Sequence, residues 1–323
     1  MKRILILFIL LIPTVLFAQA VSEDGNTRVF VDDLNREVTL PEDIDKIVGS
    51  GRISELILLS LCPEKLAALN MKQNPAHNAY YDVPDLKVIG NLYAKQGTAL
   101  SKEELILANP DLVIDIGEIK GSSADMAKQL DELSALIGKP IVFIENTLLT
   151  TEETYLRLYE LLKTEKALTL AEYSKNVIES IPDVKSGKTF YYGQSEDGLS
   201  SPVENSMFTQ VLELFATNVV KDEFNSSRAT VSIEEIYKND PDVLIASNEK
   251  CYNTFTSDSR FSNLRAVKEN NVYLAPTLLY SVIDNPPAIN RLLGLYWCQN
   301  IFGISDIDYK DYQDEYLETF YGN

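Results

Sequence analysis

LSKEELILANPDLVI at residues 100–114 is repeated by VSIEEIYKNDPDVLI at residues 231–245. The Ser, both Glu, the Pro, the Asp and the final Ile are identical in the two copies. A second apolar run follows each copy at the same distance, IVFI at 141–144 and VYLA at 272–275. Two long copies so far apart predict two lobes of similar architecture with a cleft between them, rather than a solenoid.

Each copy encodes a helix followed by a buried strand. Ser101 precedes Glu104 by three residues, and Ser232 precedes Glu235 by three, so each pair predicts a capping box at a helix start. The proline of each copy ends the helix, because the residue before proline avoids helical geometry. The apolar run that comes next is typical of a strand covered on both faces. This alternation predicts a mainly parallel sheet in each lobe and an α/β fold of two similar three-layer lobes.

The segment between the copies predicts the connection between the lobes. Residues 27–150 form the predicted N-terminal lobe and residues 185–323 the predicted C-terminal lobe with its terminal helices. Residues 151–184 carry apolar side chains at helical spacing and predict one long backbone helix, with a third capping box at Thr150 and Glu153. About 30 helical residues would span about 45 Å and leave the lobes little relative motion.

That interlobe helix has one weak point. Thr164-Glu165-Lys166 interrupts the apolar spacing, so two helices are the alternative to a single one.

The first twenty residues have the pattern of a secretory signal peptide. Lys2 and Arg3 precede an apolar core from Ile4 to Phe17, and Ala18-Gln19-Ala20 predicts cleavage after Ala20. The core is shorter than the roughly 20 residues that a membrane span needs. No Cys lies near the cleavage site, so a lipoprotein is not expected. We therefore expect export to the periplasm.

The remaining chain is strongly acidic. The formal charge is −19, and loss of Lys2 and Arg3 makes it −21. Such a chain repels nucleic acid and anionic membranes. The three cysteines allow at most one disulfide and form no Cys-x-x-Cys metal pair.

The chain resembles the substrate-binding proteins of ATP-driven (ABC) importers for iron complexes and cobalamin. The resemblance lies in an ordered set of stretches that covers nearly the whole mature chain. These stretches are 32–41, 84–90, both Pro-Asp strands, 257–261 with 264–268, 272–273, 286–288 and 294–297.

The resemblance implies two lobes joined by one long helix, a ligand cleft between them, and no chemistry on the chain. It implies a monomer that binds an iron complex, such as a siderophore, haem-like or cobalamin-like chelate, and that needs no cofactor. The partners would be an ABC permease and, through it, the ATPase. By position in the two copies, Glu103 and Glu234 would dock against the permease. A purely structural role is the alternative, because the positive end of the helix dipole stabilises a Glu side chain in the first turn.

Ligands of parallel sheets bind beyond the carboxyl ends of the strands, and this rule selects the candidate binding residues. Arg52 follows a glycine-flanked strand end and could pair with an anionic group, although a surface ion pair would explain it equally. Tyr280 is the preferred stacking or phenolate candidate. The full set of candidates is Arg52, Tyr93, Lys120, Ser195, Tyr252 and Tyr280.

Other functions stay open at this stage. The first alternative is a molybdate- or tungstate-type oxyanion held by Arg52 in the same class of protein. The others are a secreted two-lobe hydrolase and a ligand-sensing module. His77 is the only histidine, and no Gly-x-Ser-x-Gly sequence occurs, so neither a hydrolase nor a protein-held metal site is expected.

Overall fold

The structure, a computed structural model, describes residues 27–74, 80, 86–94, 99–221 and 226–322. The predicted signal peptide at 1–20 and His77 lie outside these ranges. None of the helices in the described part has the length and apolar character needed to cross a membrane.

The first lobe contains a three-stranded parallel sheet in the order β3-β4-β5. An antiparallel hairpin, β1-β2, precedes this sheet. The strands are β1 Thr27–Val31, β2 Glu37–Pro41, β3 Ile47–Gly49, β4 Leu112–Gly117 and β5 Ile141–Glu145. The helices are α1 Arg52–Leu61, α2 Lys102–Ala108 and α3 Ser123–Ile137, with a short 3-10 helix at Pro63–Lys65.

The interlobe segment is a pair of antiparallel helices, α4 Thr151–Leu162 and α5 Lys166–Glu179. Lys175 Nζ lies 3.3 Å from Glu152 Oε1, which joins the end of α5 to the start of α4. The prediction of one long helix is therefore wrong, and the alternative of two helices is confirmed. The chain reverses because Lys163 adopts the left-handed conformation, at φ 55° and ψ 30°. The connection between the lobes is α5 alone, about 21 Å long at 1.5 Å per residue.

The second lobe contains a four-stranded parallel sheet in the order β11-β10-β6-β8. A small antiparallel pair, β7 with β9, lies beside it. The strands are β6 Thr189–Gly193, β7 Ser200–Pro202, β8 Thr217–Asn218, β9 Arg228–Thr230, β10 Val243–Ala246 and β11 Val272–Leu274. The helices are α6 Gln210–Glu213, α7 Ile233–Asn239, α8 Glu249–Ser257, α9 Arg265–Lys268, α10 Arg291–Ile301 and α11 Gln313–Tyr321, with a 3-10 helix at Tyr309–Tyr312.

The two sequence copies fold into equivalent units, α2 with β4 and α7 with β10. Ser101 Oγ accepts from the Glu104 amide at 3.3 Å, and Ser232 Oγ accepts from the Glu235 amide at 3.1 Å. Both helices therefore begin where predicted, with the serine as the cap. The full capping box is not formed in the first copy, because the Ser101 amide donates to the Ile89 carbonyl at 2.7 Å. The Glu104 carboxylate instead accepts from Lys87 Nζ at 2.8 Å. The serine thus caps each helix, and the glutamate of the first copy serves an ion pair.

The third capping box, predicted at Thr150, is wrong. Thr150 makes no side-chain cap on α4. Its hydroxyl accepts instead from the Thr147 amide at 2.8 Å, within the turn that precedes the helix.

Both sequence copies contain a Pro-Asp pair, and its aspartate has a structural role in each sheet. Asp111 Oδ2 accepts from the amides of Asp45 and Lys46, at 3.0 and 2.9 Å, just before β3. Asp242 Oδ2 accepts from the amide and the hydroxyl of Thr189, both at 2.8 Å, at the start of β6. Each aspartate therefore ties the start of its own strand to the start of the neighbouring parallel strand.

One apolar core runs through both lobes. Leu112 and Ile114 of β4 belong to the same core as Val243 and Ile245 of β10, and all four are fully buried. The alternate residues of each strand face a separate outer core. Helices α1, α4, α5, α10 and α11 supply the side chains between the two sheets.

Helix α11 closes this shared core. The ring of Phe320 lies 6.1 Å from the ring of Tyr155 and 5.4 Å from that of Tyr173, measured between centroids. Lys166 Nζ donates to the carbonyls of Phe320 and Gly322, at 3.4 and 3.3 Å.

The left-handed turn at Lys163 makes a direct test of the helical hairpin. We expect Lys163→Gly to be more stable than Lys163→Ala by about 1 kcal/mol, because a Cβ is unfavourable in the left-handed conformation. Chemical denaturation of the two variants measures this difference. As a control, Glu172→Gly in the exposed interior of α5 should lose about 1 kcal/mol relative to wild type. A continuous helix would give the opposite order at position 163, with Ala more stable than Gly.

Candidate functional site

A cavity of about 930 Å³ lies between the two lobes. The segments that follow four parallel strands line it: Ser50-Gly51-Arg52 after β3, Glu118 after β4, Gln194-Ser195 after β6 and Ser247-Asn248 after β10. This is the edge of each sheet where the rule for parallel strands places a ligand. The cavity is at the upper end of the usual range for small-molecule sites, about 300–1,000 Å³.

The structure brings five of the six candidate binding residues to this cavity. Arg52, Tyr93, Lys120, Ser195 and Tyr280 line its wall. Tyr252 does not, because it lies on α8 and packs against the outer core of the second lobe. The binding roles of the five stay predictions.

The first-lobe wall is built around Asp115, near the end of β4. Its carboxylate accepts from the Ser50 hydroxyl at 2.5 Å and from the Tyr93 hydroxyl. Burial raises the pKa of Asp115 above its ordinary value, while these two hydrogen bonds act in the opposite direction. Burial and the Asp115 charge both raise the pKa of Tyr93, so its phenol keeps its proton. Tyr93 is therefore a poor phenolate ligand.

The second-lobe wall is built around Asp284, which is 4% exposed. Tyr192 donates its hydroxyl to Asp284 Oδ1 at 2.9 Å, and Ser281 does so at 3.3 Å. Gln194 Nε2 donates to Asp284 Oδ2. Burial raises the pKa of Asp284, and the hydrogen bond from Tyr192 is the largest effect that opposes it. Each lobe thus presents one buried acid, held by a tyrosine hydroxyl, to the same cavity.

Four cations of the described residues line the cavity without forming an ion pair. Arg52 Nε contacts Met71 Sδ at 3.1 Å, and the remaining cations are Lys72, Lys120 and Arg228. Lys120 Nζ lies 4.9 Å from the centre of the Tyr93 ring, and the Arg228 guanidinium lies 4.5 Å from the centre of the Phe208 ring. Within the described ranges, none of the four lies within 4.0 Å of a carboxylate oxygen.

Lys250 shows the contrast with these four cations. Its Nζ forms an ion pair with Glu196 at 2.6 Å, and it lies outside the cavity wall.

Two hydrogen-bonded bridges join the lobes beside the cavity. Tyr280 donates its hydroxyl to Gln73 Oε1 at 3.3 Å. In the second bridge, Gln210 Nε2 donates to Glu118, and Gln210 Oε1 accepts from the Arg291 guanidinium at 2.6 Å. Burial lowers the pKa of Arg291 to about 10, and the Glu118 charge opposes this. The candidate Tyr280 therefore contributes to the contact between lobes as well as to the wall.

In the first of these bridges, Gln73 is held in position by a buried acid, Glu55 of α1. Glu55 accepts from the Asn70 and Met71 amides and from Gln73 Nε2, the last at 2.6 Å. Burial raises the pKa of Glu55 to about 7 in spite of these three donors and of the Arg52 charge. The acid therefore titrates near neutral pH while it positions Gln73.

Sequence reasoning did not single out several residues of the wall, although the strand-end rule selects the loops that contain Asp115 and Gln194. Asp115 carries a signal, because it is a carboxylate directly after an apolar run in a buried strand. Gln194 lies next to the candidate Ser195, at the end of β6. Asp284 and Arg228 carry no local signal, since only the fold brings them to the cavity. In the described part of the chain, no three His, Cys, Asp or Glu side chains come together in a way that could hold a metal ion.

A family model described as "Periplasmic binding protein" matches residues 71–278, more than half of the chain. The chain belongs to the periplasmic binding protein family. Members of this family are solute-binding proteins that work with ABC transporters. The predicted family and the two-lobe α/β fold class are thereby confirmed. No curated protein sequence matches the chain significantly.

Solved structures of this family share the fold of the chain at low identity. An ABC transporter solute-binding protein from Sulfurospirillum deleyianum has 24% identity and a TM-score of 0.78, over 91% of this chain and 95% of that one. The molybdate periplasmic binding protein of Haemophilus influenzae has 17% identity and a TM-score of 0.63, over 92% and 98%. The periplasmic vitamin B12 binding protein of Vibrio cholerae has 16% identity and a TM-score of 0.61, over 81% and 97%. Their varied ligands leave the cargo of this periplasmic binding protein open.

Glu55 predicts a pH dependence of stability. Its carboxyl keeps a proton in the folded state up to a pH of about 7, whereas the unfolded chain loses that proton near 4.5. Between these values the folded state binds more protons, so raising the pH lowers the free energy of unfolding, by about 3 kcal/mol at most. We expect Glu55→Gln to remove this slope in denaturation curves recorded from pH 4.5 to 7.5. Glu37→Gln, at an exposed position of β2, is the control and should keep the wild-type slope. Equal slopes in wild type and Glu55→Gln would contradict the assignment.

Proposed function

We propose that this protein binds an anionic metal chelate in the interlobe cavity and delivers it to the permease of an ABC importer. The proposed cargo is an iron complex, either of a siderophore or haem-like, in preference to a cobalamin-like chelate. The observation that carries the proposal is the set of four cations around the cavity that form no ion pair within the described residues, Arg52, Lys72, Lys120 and Arg228. Delivery would occur without chemistry on the chain.

The cations are informative because the chain is so acidic. With 48 acidic and 29 basic residues the chain is negative on average, whereas the cavity is lined by four cations against three acids, Asp115, Glu118 and Asp284. All four cations are exposed, so each alone attracts an anion weakly, and their common position around one cavity is what favours an anionic ligand. Ferric catecholates and haem propionates carry the required charge, so they fit this wall better than a neutral cobalamin.

The volume of the cavity favours a chelate over an oxyanion. A tetrahedral molybdate is only a few water molecules in size, and one water takes up about 30 Å³ of liquid. Such an ion would leave most of the roughly 930 Å³ unfilled. Molybdate and tungstate are therefore included in the ligand panel as the competing cargo.

Docking on the permease is proposed through Glu103 and Glu234. Both lie in the first turn of their helices, α2 and α7, and both are exposed. Glu104 already pairs with Lys87. Glu103 accepts only a long hydrogen bond of 3.4 Å from Ser101, and Glu234 has no hydrogen bond or ion pair within the described ranges. One free carboxylate on each lobe at equivalent positions suits a partner with two cationic sites.

The cellular setting follows from the same proposal. The signal peptide at 1–20 would direct export, and the mature protein would act in the periplasm as a monomer. Docking would require Glu103 of one lobe and Glu234 of the other to contact the same permease at once. Its strength would therefore depend on the relative position of the lobes.

A ligand panel tests the cargo. We expect ferric catecholate siderophores or haem to raise the melting temperature of the mature protein, and molybdate, tungstate and cobalamin to do so weakly or not at all. Arg52→Gln with Lys120→Gln should weaken the binding of the active chelate at least tenfold in isothermal titration, because two charge-assisted contacts are lost. Lys250→Gln removes a paired cation outside the cavity and should leave affinity unchanged. A response to oxyanions alone would refute the chelate cargo.

Uptake measurements test the docking proposal. In cells that contain the cognate permease, Glu103→Arg with Glu234→Arg should abolish uptake of the active chelate, because two attractive contacts become repulsive. Purified protein with the same changes should bind the chelate with wild-type affinity. Glu104→Gln with Glu235→Gln, one residue further along each helix, is the matched control and should retain uptake. Normal uptake in the double Arg variant would refute docking through these two residues.

A further inference from the structure

We propose that Gln194 and Asp284 form a subsite for hydrogen-bond donors of the cargo. The proposal rests on the proposed function and narrows it. The cargo would be an anionic chelate that also carries a free hydroxyl, amide or amine group outside its metal-binding set. This group would face the second lobe, while the anionic part faces the cations of the first lobe.

Gln194 is held in one orientation by its neighbours. Its amide donates to the Ser200 carbonyl at 2.8 Å, and its carbonyl accepts from Ser247 Oγ and Asn248 Nδ2, both at 3.4 Å. Its side-chain Nε2 donates to Asp284. Because Nε2 faces the carboxylate, the direction of Oε1 is also fixed.

The Gln194 Oε1 atom is an acceptor without a donor. It is buried in the wall of the cavity, and no hydrogen-bond partner reaches it within the described ranges. A buried polar atom without a partner is unfavourable, so such atoms are few in folded proteins. A donor on a bound ligand would satisfy it.

Asp284 adds a second acceptor beside it. A carboxylate has about four lone-pair positions. Oδ1 accepts from Tyr192 and Ser281, and Oδ2 accepts from Gln194. One position on Oδ2 therefore has no donor from the described residues. Tyr192 lies fully buried behind the carboxylate, so it holds Asp284 in place and does not reach the cargo.

The two walls of the cavity thus differ in what they offer. The first lobe contributes the donors Arg52, Lys72 and Lys120. It also contributes two acids, but Asp115 already accepts from Ser50 and Tyr93, and Glu118 accepts from Gln210. The second lobe contributes the acceptors Gln194 Oε1 and Asp284, and its one cation, Arg228, lies against the Phe208 ring. A cargo with one anionic face and one face of N–H or O–H groups matches both walls in a single orientation.

A matched pair of ferric complexes tests the subsite. The probes are ferric tris(4-methylcatecholate) and ferric tris(4-hydroxymethylcatecholate). Each is prepared with an excess of its own substituted catechol. They have the same charge and nearly the same size, and they differ in the hydroxyl groups. We expect wild-type protein to bind the hydroxymethyl complex about tenfold more tightly in isothermal titration.

Two variants assign that preference to the subsite. Gln194→Leu and Asp284→Asn should each reduce the preference to about twofold or less. The preference is the ratio of the two affinities measured in the same variant, so a general effect of the substitution on chelate binding cancels. Lys250→Gln should keep the tenfold preference. Thermal unfolding of each variant shows whether it is folded. The comparison of the two complexes on wild-type protein tests the subsite even if a variant fails to fold.

The outcomes separate this proposal from the one it rests on. Equal binding of the two complexes by wild-type protein, or a preference that both variants retain, would overturn the subsite and leave the chelate cargo standing. Binding of neither complex would count against a ferric chelate as cargo, and the subsite would be lost with it.

Discussion

The cavity depends on one constraint, the apolar core that the two lobes share. Leu112 and Ile114 of the first sheet and Val243 and Ile245 of the second pack into the same core. A change in the distance between the lobes would expose part of this surface to water, which is unfavourable at about 25 cal/mol per Å². The walls are therefore held near their working separation before a ligand arrives. Affinity depends mainly on the side chains of the walls, because little reorganisation is needed.

The sequence repeat predicted the parts of the fold that local chemistry decides. Ser101 and Ser232 begin helices because their hydroxyls satisfy free amides, and this requires only nearby residues. The interlobe helix was mispredicted for an equally physical reason. Both α4 and α5 bury one face in the same core, so the apolar spacing continues across their turn. The reversal itself occurs at Lys163, a residue type that does not usually mark a left-handed turn.

The cavity could be placed from the sequence, but its chemistry could not. Alternating helices and strands identify the strand ends, and Arg52, Lys120 and Ser195 follow from them. The acid of the second wall is different. Asp284 accepts a hydrogen bond from Tyr192, which lies 92 residues earlier in the chain. Neither residue has a sequence neighbour that predicts this contact. Unpaired cations are also invisible in a sequence, because pairing is a property of distances.

The position of α11 in the fold has a consequence for how the protein is made. Phe320 packs on Tyr155 and Tyr173, and Lys166 holds the carbonyls beside it, although half the chain separates these partners. The helical hairpin and the shared core cannot be completed while Phe320 is still being synthesised. The growing chain therefore lacks this contact until residue 320 has been made, so the shared core is completed only after the strands of both lobes have been synthesised.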